Sequence, residues 1–377
     1  MKKIIFLIML FLPVIVSANS DLAKTSKSAI MIEASTGEVI FEKDANKKLP
    51  PASMTKIMTM LLTVEAIEKD IIKWNDTVTV SEKASSMGGS QILLETGEKM
   101  KVEDLFKGVA IASGNDAAVA LAEKIAGSVS LFVDMMNKRA KELGLTKTNF
   151  KNPHGLDDPN HYSCAKDMSI MAKELVKHEK VLEFTKTYDT YLRVGQPTKI
   201  WLVNTNKLVK FYSGLDGLKT GYTKEAGYCL TSTAKRDGMR LITVIMGSED
   251  TDIRNKETTE LLDYGFAQYE VDTYASVNTN LGNIKIKNGE DKVSILNPKQ
   301  DITFLKKKTE EKKKNIKHKI EVNKMKAPIK KGDKVGVLKI LENNKVVQTI
   351  DLTINKDNKK INIINLYFRN LLEILQP

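Results

Sequence analysis

The stretch Pro51-Ala52-Ser53-Met54-Thr55-Lys56 stands immediately before an apolar run that continues to about Lys69. Prolines directly before such a run are typical of a helix start, and residues three apart share one face of a helix. The spacing therefore predicts that the Ser53 hydroxyl and the Lys56 amine lie side by side on the first helical turn. An N-capping serine followed by a surface lysine is the alternative explanation, because this spacing is common by chance.

A serine next to a lysine can act as a nucleophile activated by its own base. A serine hydroxyl is a poor nucleophile until a neighbouring base takes its proton. A lysine can be that base when burial and nearby cations hold its amine neutral. Backbone N–H groups at the helix N-terminus can stabilise the negative charge that develops during such an attack.

Two further motifs follow along the chain. Ser113-Gly114-Asn115 lies inside an apolar-periodic segment from Val102 to Ala126, and Lys219-Thr220-Gly221 lies in a predicted strand. A glycine inside a helix costs about 1 kcal/mol relative to alanine, so we expect the helix to be interrupted at the first of these motifs. A plain loop between two helices would explain the interruption. A loop that presents the serine and asparagine to a cleft would explain it too, and both can hold.

Length and composition indicate an exported protein with two domains. The chain has 377 residues and a hydrophobic content of 42%, enough for buried cores. Residues 1–18 resemble an export signal, with Lys2 and Lys3, an apolar stretch and Val16-Ser17-Ala18 as a cleavage site. An uncleaved anchor is the alternative, but the stretch is short and contains Pro13. The net charge of +12 then favours anionic lipid headgroups and acidic wall polymers as partners, and not nucleic acid.

No metal and no other cofactor is expected. No Cys/His cluster has the spacing of metal ligands, and the histidines are scattered. The two cysteines, Cys164 and Cys229, could form a disulfide in an exported protein. Nothing in the sequence places them together, so we expect two unpaired thiols.

The segment that carries the three motifs has the pattern of an α+β domain. Ser28 to Lys43 alternates as a hairpin. Further strands are predicted at residues 217–221, 228–234 and 241–246. A turn at residues 235–238 joins the last two strands, and a helix from Arg254 to Tyr269 would pack on the resulting antiparallel sheet.

The chain changes character after about Tyr269. Short alternating runs predict a small all-β domain from 271 to 355, in which the lysine-dense stretch from Lys306 to Lys319 forms a solvated hairpin. The last segment, Ile361 to Leu375, places its apolar residues on one side of a helix. Such a helix could pack on its own domain. Export, Lys359-Lys360 and the wide apolar face favour a position in the membrane interface.

The three motifs together make the chain resemble the low-molecular-mass penicillin-binding proteins, the D-alanyl-D-alanine carboxypeptidase family. The resemblance is carried by residues 51–56, 113–117, 152–157, 161–163, 217–223, 226–229 and 327–333. Gly114 stands where the related class A β-lactamase motif has an aspartate. Cys164 stands where the family usually has threonine, outside the three motifs.

The resemblance implies an acyl-transfer mechanism. Ser53 would attack the carbonyl between two terminal D-alanines after Lys56 removes its proton, and water would then hydrolyse the acyl-enzyme. Ser113 would pass a proton to the leaving amine together with Lys219, and Asn115 would bind the substrate backbone.

The resemblance also implies a substrate site along the Lys-Thr-Gly strand, which includes Gly221. The backbone N–H groups of Ser53 and Tyr222 would form the oxyanion hole. Thr220 and Arg254 would hold the terminal carboxylate of the substrate, since arginine binds carboxylates in a bidentate fork. A helix-surface arginine is the alternative for Arg254.

The family implies a transpeptidase-like catalytic domain followed by a β-domain and a terminal anchor. We expect a signal peptide at 1–18, a catalytic domain at 19–269, a β-domain at 270–357 and an amphipathic anchor at 358–377. The expected substrates are peptidoglycan stem peptides ending in D-Ala-D-Ala, with β-lactams as covalent inhibitors, on the outer face of the cytoplasmic membrane. The alternatives are a β-lactamase, an endopeptidase on cross-links, or a catalytically idle wall-binding scaffold.

Overall fold

The computed structural model describes residues 22–309, 316–342 and 344–375. The predicted export signal at residues 1–18 lies outside the described residues, as does part of the lysine-dense stretch, residues 310–315. The chain divides into two compact units between Ala267 and Gln268.

Helices and strands alternate in the first unit, and strands dominate the second. The α-helices are α1 (Lys56–Glu68), α2 (Glu82–Ser85), α3 (Val102–Ala112), α4 (Asn115–Ala126), α5 (Val129–Glu142), α6 (Ala165–Leu175), α7 (Glu179–Thr185), α8 (Leu208–Phe211), α9 (Thr251–Gln268) and α10 (Ile363–Leu375). The strands are β1 (Ser28–Glu33), β2 (Val39–Lys43), β3 (Thr77–Thr79), β4 (Lys99–Lys101), β5 (Asp189–Leu192), β6 (Ile200–Val203), β7 (Leu215–Thr223), β8 (Gly227–Arg236), β9 (Met239–Ser248), β10 (Tyr269–Ala275), β11 (Asn283–Lys287), β12 (Val293–Pro298), β13 (Ile302–Lys307), β14 (Ile316–Val322), β15 (Met325–Lys326), β16 (Gly336–Glu342) and β17 (Lys345–Ile354).

An antiparallel sheet with the strand order β2-β1-β9-β8-β7 forms one layer of the first unit. Its three long strands make a meander, and β8 turns into β9 at Asp237 and Gly238, whose φ angles are 47° and 82°. Two successive positive φ angles fit the turn type that matches the twist of hairpin strands. The predicted turn, the antiparallel sheet and the α+β class are therefore confirmed.

Helix α1 lies inside the hydrophobic core of the first unit. Its side chains are buried all the way round, with Ile57, Met58, Met60 and Leu61 fully enclosed, as expected of a helix that is apolar on every side. It packs against α3, α4, α5 and α6. The start of this helix is consequently held in place by the core.

The turn that carries Ser53 was predicted to be the first turn of this α-helix, but it is not α-helical. Ala52–Thr55 form a 3-10 turn, and the α-helix begins only at Lys56. Such turns are frequent at the N-termini of α-helices, and side chains three apart eclipse one another in them. The prediction that Ser53 and Lys56 share one face is therefore confirmed, although the turn that aligns them is not α-helical.

The second unit is a small β-domain with a C-terminal helix. Its main sheet has the strand order β14-β16-β17-β12-β11-β15, and β10 pairs separately with β13. The buried residues of this unit, among them Ile286, Leu338 and Leu352, form a hydrophobic cluster. The prediction of a small all-β domain is confirmed. Among the described helices, none has the length and apolar character needed to cross a membrane.

Candidate active site

The side-chain nitrogen of Lys56 lies at the centre of a polar cluster at the start of α1. Its Nζ is 3.0 Å from Ser53 Oγ, 2.7 Å from Asn115 Oδ1 and 2.8 Å from the carbonyl oxygen of His154. Lys56 is fully buried, and Ser53 is partly exposed. The structure thus brings the predicted nucleophile, its base and the asparagine of the second motif into direct contact.

Burial controls the charge of this lysine. Desolvation holds the pKa of Lys56 well below the usual range, and the nearby Lys219 cation lowers it further. Asp116 opposes these two effects by favouring the charged form. Because both larger effects disfavour the ammonium, they favour the neutral amine that a base requires.

The three hydrogen-bonding partners of Lys56 determine where the lone pair of its neutral amine points. An uncharged amine has two hydrogens and one lone pair. The carbonyl oxygen of His154 and the Oδ1 of Asn115 can only accept hydrogen bonds, so they take the two hydrogens. The lone pair is left for the Ser53 hydroxyl, which is the only one of the three partners that can donate a proton.

The second motif forms the predicted break between α3 and α4. Ser113 ends α3 in the left-handed conformation with φ of 64°, and Asn115 begins α4. Both side chains are buried. Asn115 accepts from Lys56 through Oδ1, and its Nδ2 donates to the carbonyl oxygen of Gly88 at 2.7 Å. An amide nitrogen carries two hydrogens, so one donor remains for a substrate.

A buried carboxylate that the sequence analysis did not single out holds the loop beside this motif. Asp116 is fully buried and accepts from the backbone N–H groups of Ile92, Leu94 and Ala117. Backbone donors satisfy a buried carboxylate without a cation. The loop that supplies the Gly88 carbonyl is thereby tied to α4. The position of Asp116 directly after the motif was the only sequence signal for this role.

The third motif lies on β7 at the edge of the main sheet. Lys219 is buried, and its Nζ donates to the carbonyl oxygen of Thr220 at 3.0 Å. Gly221 passes so close to the 3-10 turn that a Cβ there would lie 2.8 Å from the carbonyl oxygen of Pro51. This close approach requires glycine and brings β7 against the turn that carries Ser53. Tyr222 follows as an exposed side chain whose ring lies 4.4 Å from the ring of Tyr228.

Arg254 lies on α9, close enough to the Lys-Thr-Gly motif for its charge to act on Lys219. Its side chain is buried, and the guanidinium donates to Asn255 Oδ1 at 2.9 and 3.2 Å. Burial together with the Arg254 charge lowers the pKa of Lys219 to about 7. The alternative of an arginine on the helix surface is therefore wrong, because this side chain is enclosed next to the Lys-Thr-Gly strand.

Two further residues fix the turn that carries the serine, and sequence reasoning gave them no role. The backbone N–H of Lys151 donates to His161 Nδ1. Nε2 of His161 therefore carries its proton and donates to Thr55 Oγ1 at 2.7 Å. Gly155, with φ of 90°, packs so closely that a Cβ there would lie 1.9 Å from the Ala52 carbonyl oxygen.

Both histidines near the serine are neutral at physiological pH. Burial lowers the pKa of His154 to about 3, with a smaller contribution from the Lys56 charge. Burial also lowers the pKa of His161 to about 4. These rings therefore act as fixed hydrogen-bonding groups beside the site.

The cysteines are buried free thiols, as expected. Burial raises the pKa of Cys164 and of Cys229 to about 11, so both are protonated at neutral pH. No group of His, Cys, Asp and Glu side chains among the described residues could hold a metal ion.

Two family models match the sequence. The first, described as D-alanyl-D-alanine carboxypeptidase, matches residues 15–250. The second, described as the C-terminal domain of penicillin-binding protein 5, matches residues 269–360.

Curated and solved relatives agree with these matches. The D-alanyl-D-alanine carboxypeptidase DacF of Bacillus subtilis is 49% identical over 356 residues, which cover 94% of this chain and 91% of that protein. The structure of penicillin-binding protein 5 from Haemophilus influenzae superimposes with a TM-score of 0.69 at 30% identity, over 89% of this chain and 98% of that one. Penicillin-binding protein D2 from Listeria monocytogenes in its ampicillin-bound form has a TM-score of 0.59 at 32% identity, over 66% of this chain and 99% of that one.

Proposed function

The chain belongs to the D-alanyl-D-alanine carboxypeptidase family, and from this membership we propose how its residues carry out the reaction. The protein is a serine-type D-Ala-D-Ala carboxypeptidase that acts on peptidoglycan peptides and binds penicillin. The C-terminal domain matched at residues 269–360 favours this activity over that of a β-lactamase.

Lys56 is the base that activates Ser53. The observation that carries this assignment is the placement of Lys56 Nζ between two obligate acceptors and the Ser53 hydroxyl, 3.0 Å away. The hydroxyl proton passes to the amine as Oγ attacks the carbonyl of the penultimate D-alanine. Ser113 and Lys219 then deliver a proton to the leaving amine, which departs as free D-alanine.

The substrate lies along β7 in this proposal. The backbone N–H groups of Ser53 and Tyr222 stabilise the oxyanion, a contribution of roughly a hundred- to a thousand-fold in rate for one donor. The remaining Nδ2 hydrogen of Asn115 binds the substrate backbone. Thr220 and Arg254 bind the terminal carboxylate, supported by the burial of Arg254 beside this strand. Gly221 allows the close approach of strand and turn.

Release of D-alanine tests the proposal directly. The purified exported chain is incubated with a stem pentapeptide ending in D-Ala-D-Ala, and free D-alanine is counted against time. One D-alanine per peptide is expected. A folded protein that labels with penicillin but releases no D-alanine would contradict the assigned reaction.

The pH profile of acylation should be bell-shaped. The rate should rise with pH as Lys56 loses its proton, at a pH well below the ordinary lysine pKa of 10.5 because burial and Lys219 lower its pKa. Lys219 carries the proton that it passes toward the leaving amine below its pKa of about 7 and loses that proton above it, so the rate should fall again there. Stopped-flow acylation by a penicillin, measured against pH, records both limbs.

Lys219→Arg separates the two limbs. Arginine keeps its charge throughout this range, so the falling limb should disappear even where the rate is reduced. Lys235→Arg, at an exposed position on β8, is the matched control and should retain the full profile. A falling limb that stays at the same pH in Lys219→Arg would assign it to another group.

We further propose that the protein is exported and held at the outer membrane face by α10, with the signal peptide, catalytic domain, β-domain and anchor divided at residues 18, 269 and 357. The division between Ala267 and Gln268 supports the second boundary. Helix α10 exposes a row of apolar side chains, Ile363, Ile364, Tyr367, Phe368, Leu371, Leu372 and Ile374. Leaving this surface in water costs about 25 cal/mol per Å², which supports its insertion into the interface.

Truncation after Ile361 should release the protein from membranes and leave its activity on soluble peptide unchanged. The cut is placed four residues beyond the 357 boundary because the first residues after it still contact the β-domain. Asn358 is buried, and the backbone N–H of Ile361 donates to the Asn288 carbonyl oxygen. Membrane fractionation and D-alanine release measure the two effects. The variant Phe368→Asp/Leu371→Asp should behave in the same way as the truncation. If both proteins stay in the membrane fraction although the signal peptide is shown to be cleaved, the anchor is contradicted.

A further inference from the structure

The β-domain contains a strongly cationic cavity of about 760 Å³. Its walls come from β11, β15, the start of β12 and the helix α10. The charged residues that line it are Lys285, Lys287, Lys292, Lys324, Lys326 and Arg369. No carboxylate is among the lining side chains in the described part of the domain. The family's peptidase chemistry gives no reason for such a concentration of positive charge.

The register of the sheet places two of these cations opposite each other. β11 pairs with β15 in parallel, and Lys287 lies directly across from Lys326. Like charges in directly opposed positions destabilise a sheet. Lys339 and Lys356, on other parts of the domain, pair with Glu321 at 2.7 Å and with Asp291 at 2.9 Å. A bound anion would remove the repulsion within the cavity.

Helix α10 connects this cavity to the proposed membrane anchor. Leu366, Arg369 and Asn370 lie on the cavity side, and Arg369 Nη1 donates to the carbonyl oxygen of Gly289 at 2.8 Å. Other positions of the same helix, including Phe368 and Leu372, expose their apolar side chains. The helix is about 10 Å across, so its insertion into an interface would bring the cavity to the level of the lipid headgroups.

Phosphate is the anion that fits this group of side chains. Lysine ammonium groups bind phosphate as point charges, and arginine adds directional N–H donors. Clusters of lysine and arginine beside an amphipathic helix bind anionic lipid headgroups. We propose that this cavity binds the phosphate of an anionic phospholipid, a site that rests on the proposed membrane association of the C-terminal helix.

Vesicle binding by the full exported chain tests the site. Cosedimentation is measured with vesicles of phosphatidylcholine alone and with vesicles of equal parts phosphatidylcholine and phosphatidylglycerol. Lys287→Gln/Lys326→Gln removes the opposed pair of cations. Lys317→Gln/Lys345→Gln is the matched control, because it removes the same charge from exposed positions on β14 and β17, away from the cavity-lining edge of the sheet.

The cavity variant should bind the anionic vesicles about thirtyfold more weakly than the unmodified chain, and the control variant less than about twofold more weakly. All three should bind the neutral vesicles equally, since that binding depends on the helix. The cavity site would be overturned if the two variants lost equal affinity for the anionic vesicles, or if the unmodified chain did not prefer vesicles with phosphatidylglycerol. Neither result would contradict the anchor. Failure of the unmodified chain to bind either vesicle would overturn both proposals.

A soluble phosphodiester polymer separates the lipid from a wall polymer as the source of the phosphate. Poly(glycerol phosphate) is added as a competitor to the anionic vesicles. Weak competition is expected, because the lipid phosphate is presented together with the surface that holds the helix. Tighter binding of the polymer than of the vesicles, with the same loss in the cavity variant, would overturn the lipid assignment.

Discussion

Ser53→Ala is expected to abolish covalent labelling by penicillin and to lower D-alanine release by roughly 10⁴- to 10⁶-fold. The hydroxyl is the only side-chain group of this residue that the proposed chemistry uses, and it lies 3.0 Å from Lys56 Nζ at the start of a buried helix. Ser53 is partly exposed, so loss of its hydroxyl leaves no cavity in the core. Labelling with a fluorescent penicillin, followed by gel electrophoresis, measures the effect.

The control for this substitution is Ser130→Ala, at an exposed position on α5. It should label and turn over at the unmodified rate. Circular dichroism should show that both variants are folded. Undiminished labelling of folded Ser53→Ala would show that another residue forms the acyl-enzyme.

Lys56→Arg is expected to lose acylation although it keeps the positive charge. Arginine does not give up its proton at any pH at which proteins fold, so it offers Ser53 no lone pair. General bases contribute roughly 10²- to 10⁴-fold to rate, and a loss of this size is expected here. The second-order rate constant of acylation by penicillin is the measurement.

Lys69→Arg is the matched control, because Lys69 lies at the exposed end of the same helix. It should acylate normally. The melting temperature of Lys56→Arg shows whether the larger guanidinium has disrupted its fully buried site. Near-normal acylation by Lys56→Arg would mean that another group removes the proton from Ser53.

Local patterns were sufficient to predict the parts of the site that depend on short-range geometry. The pairing of Ser53 with Lys56 follows from a spacing of three residues, and the break at Ser113-Gly114-Asn115 follows from the composition of the helix. The hairpin turn between β8 and β9 follows from its sequence in the same way. Each depends on interactions within a few residues along the chain.

The contacts that give the site its chemistry are long-range. Lys56 meets the carbonyl oxygen of His154, which is 98 positions away in sequence, and no periodicity encodes such a pairing. Gly155 packs on the Ala52 carbonyl for the same kind of tertiary reason. The pKa of Lys219 depends on burial and on Arg254 from α9. The resemblance named most of these segments, but the folded chain was needed to assign their contacts.

The burial of Lys219 has a consequence for the folding equilibrium. In the unfolded chain this amine would hold its proton up to about pH 10.5, whereas in the folded chain it releases the proton near pH 7. The free energy of unfolding therefore decreases as pH falls from about 10.5 to 7, and the full cost of this residue is present below pH 7. The ammonium that the proposed mechanism uses is thus present only below about pH 7, where it weakens the fold. At this position stability is given up for the proposed function.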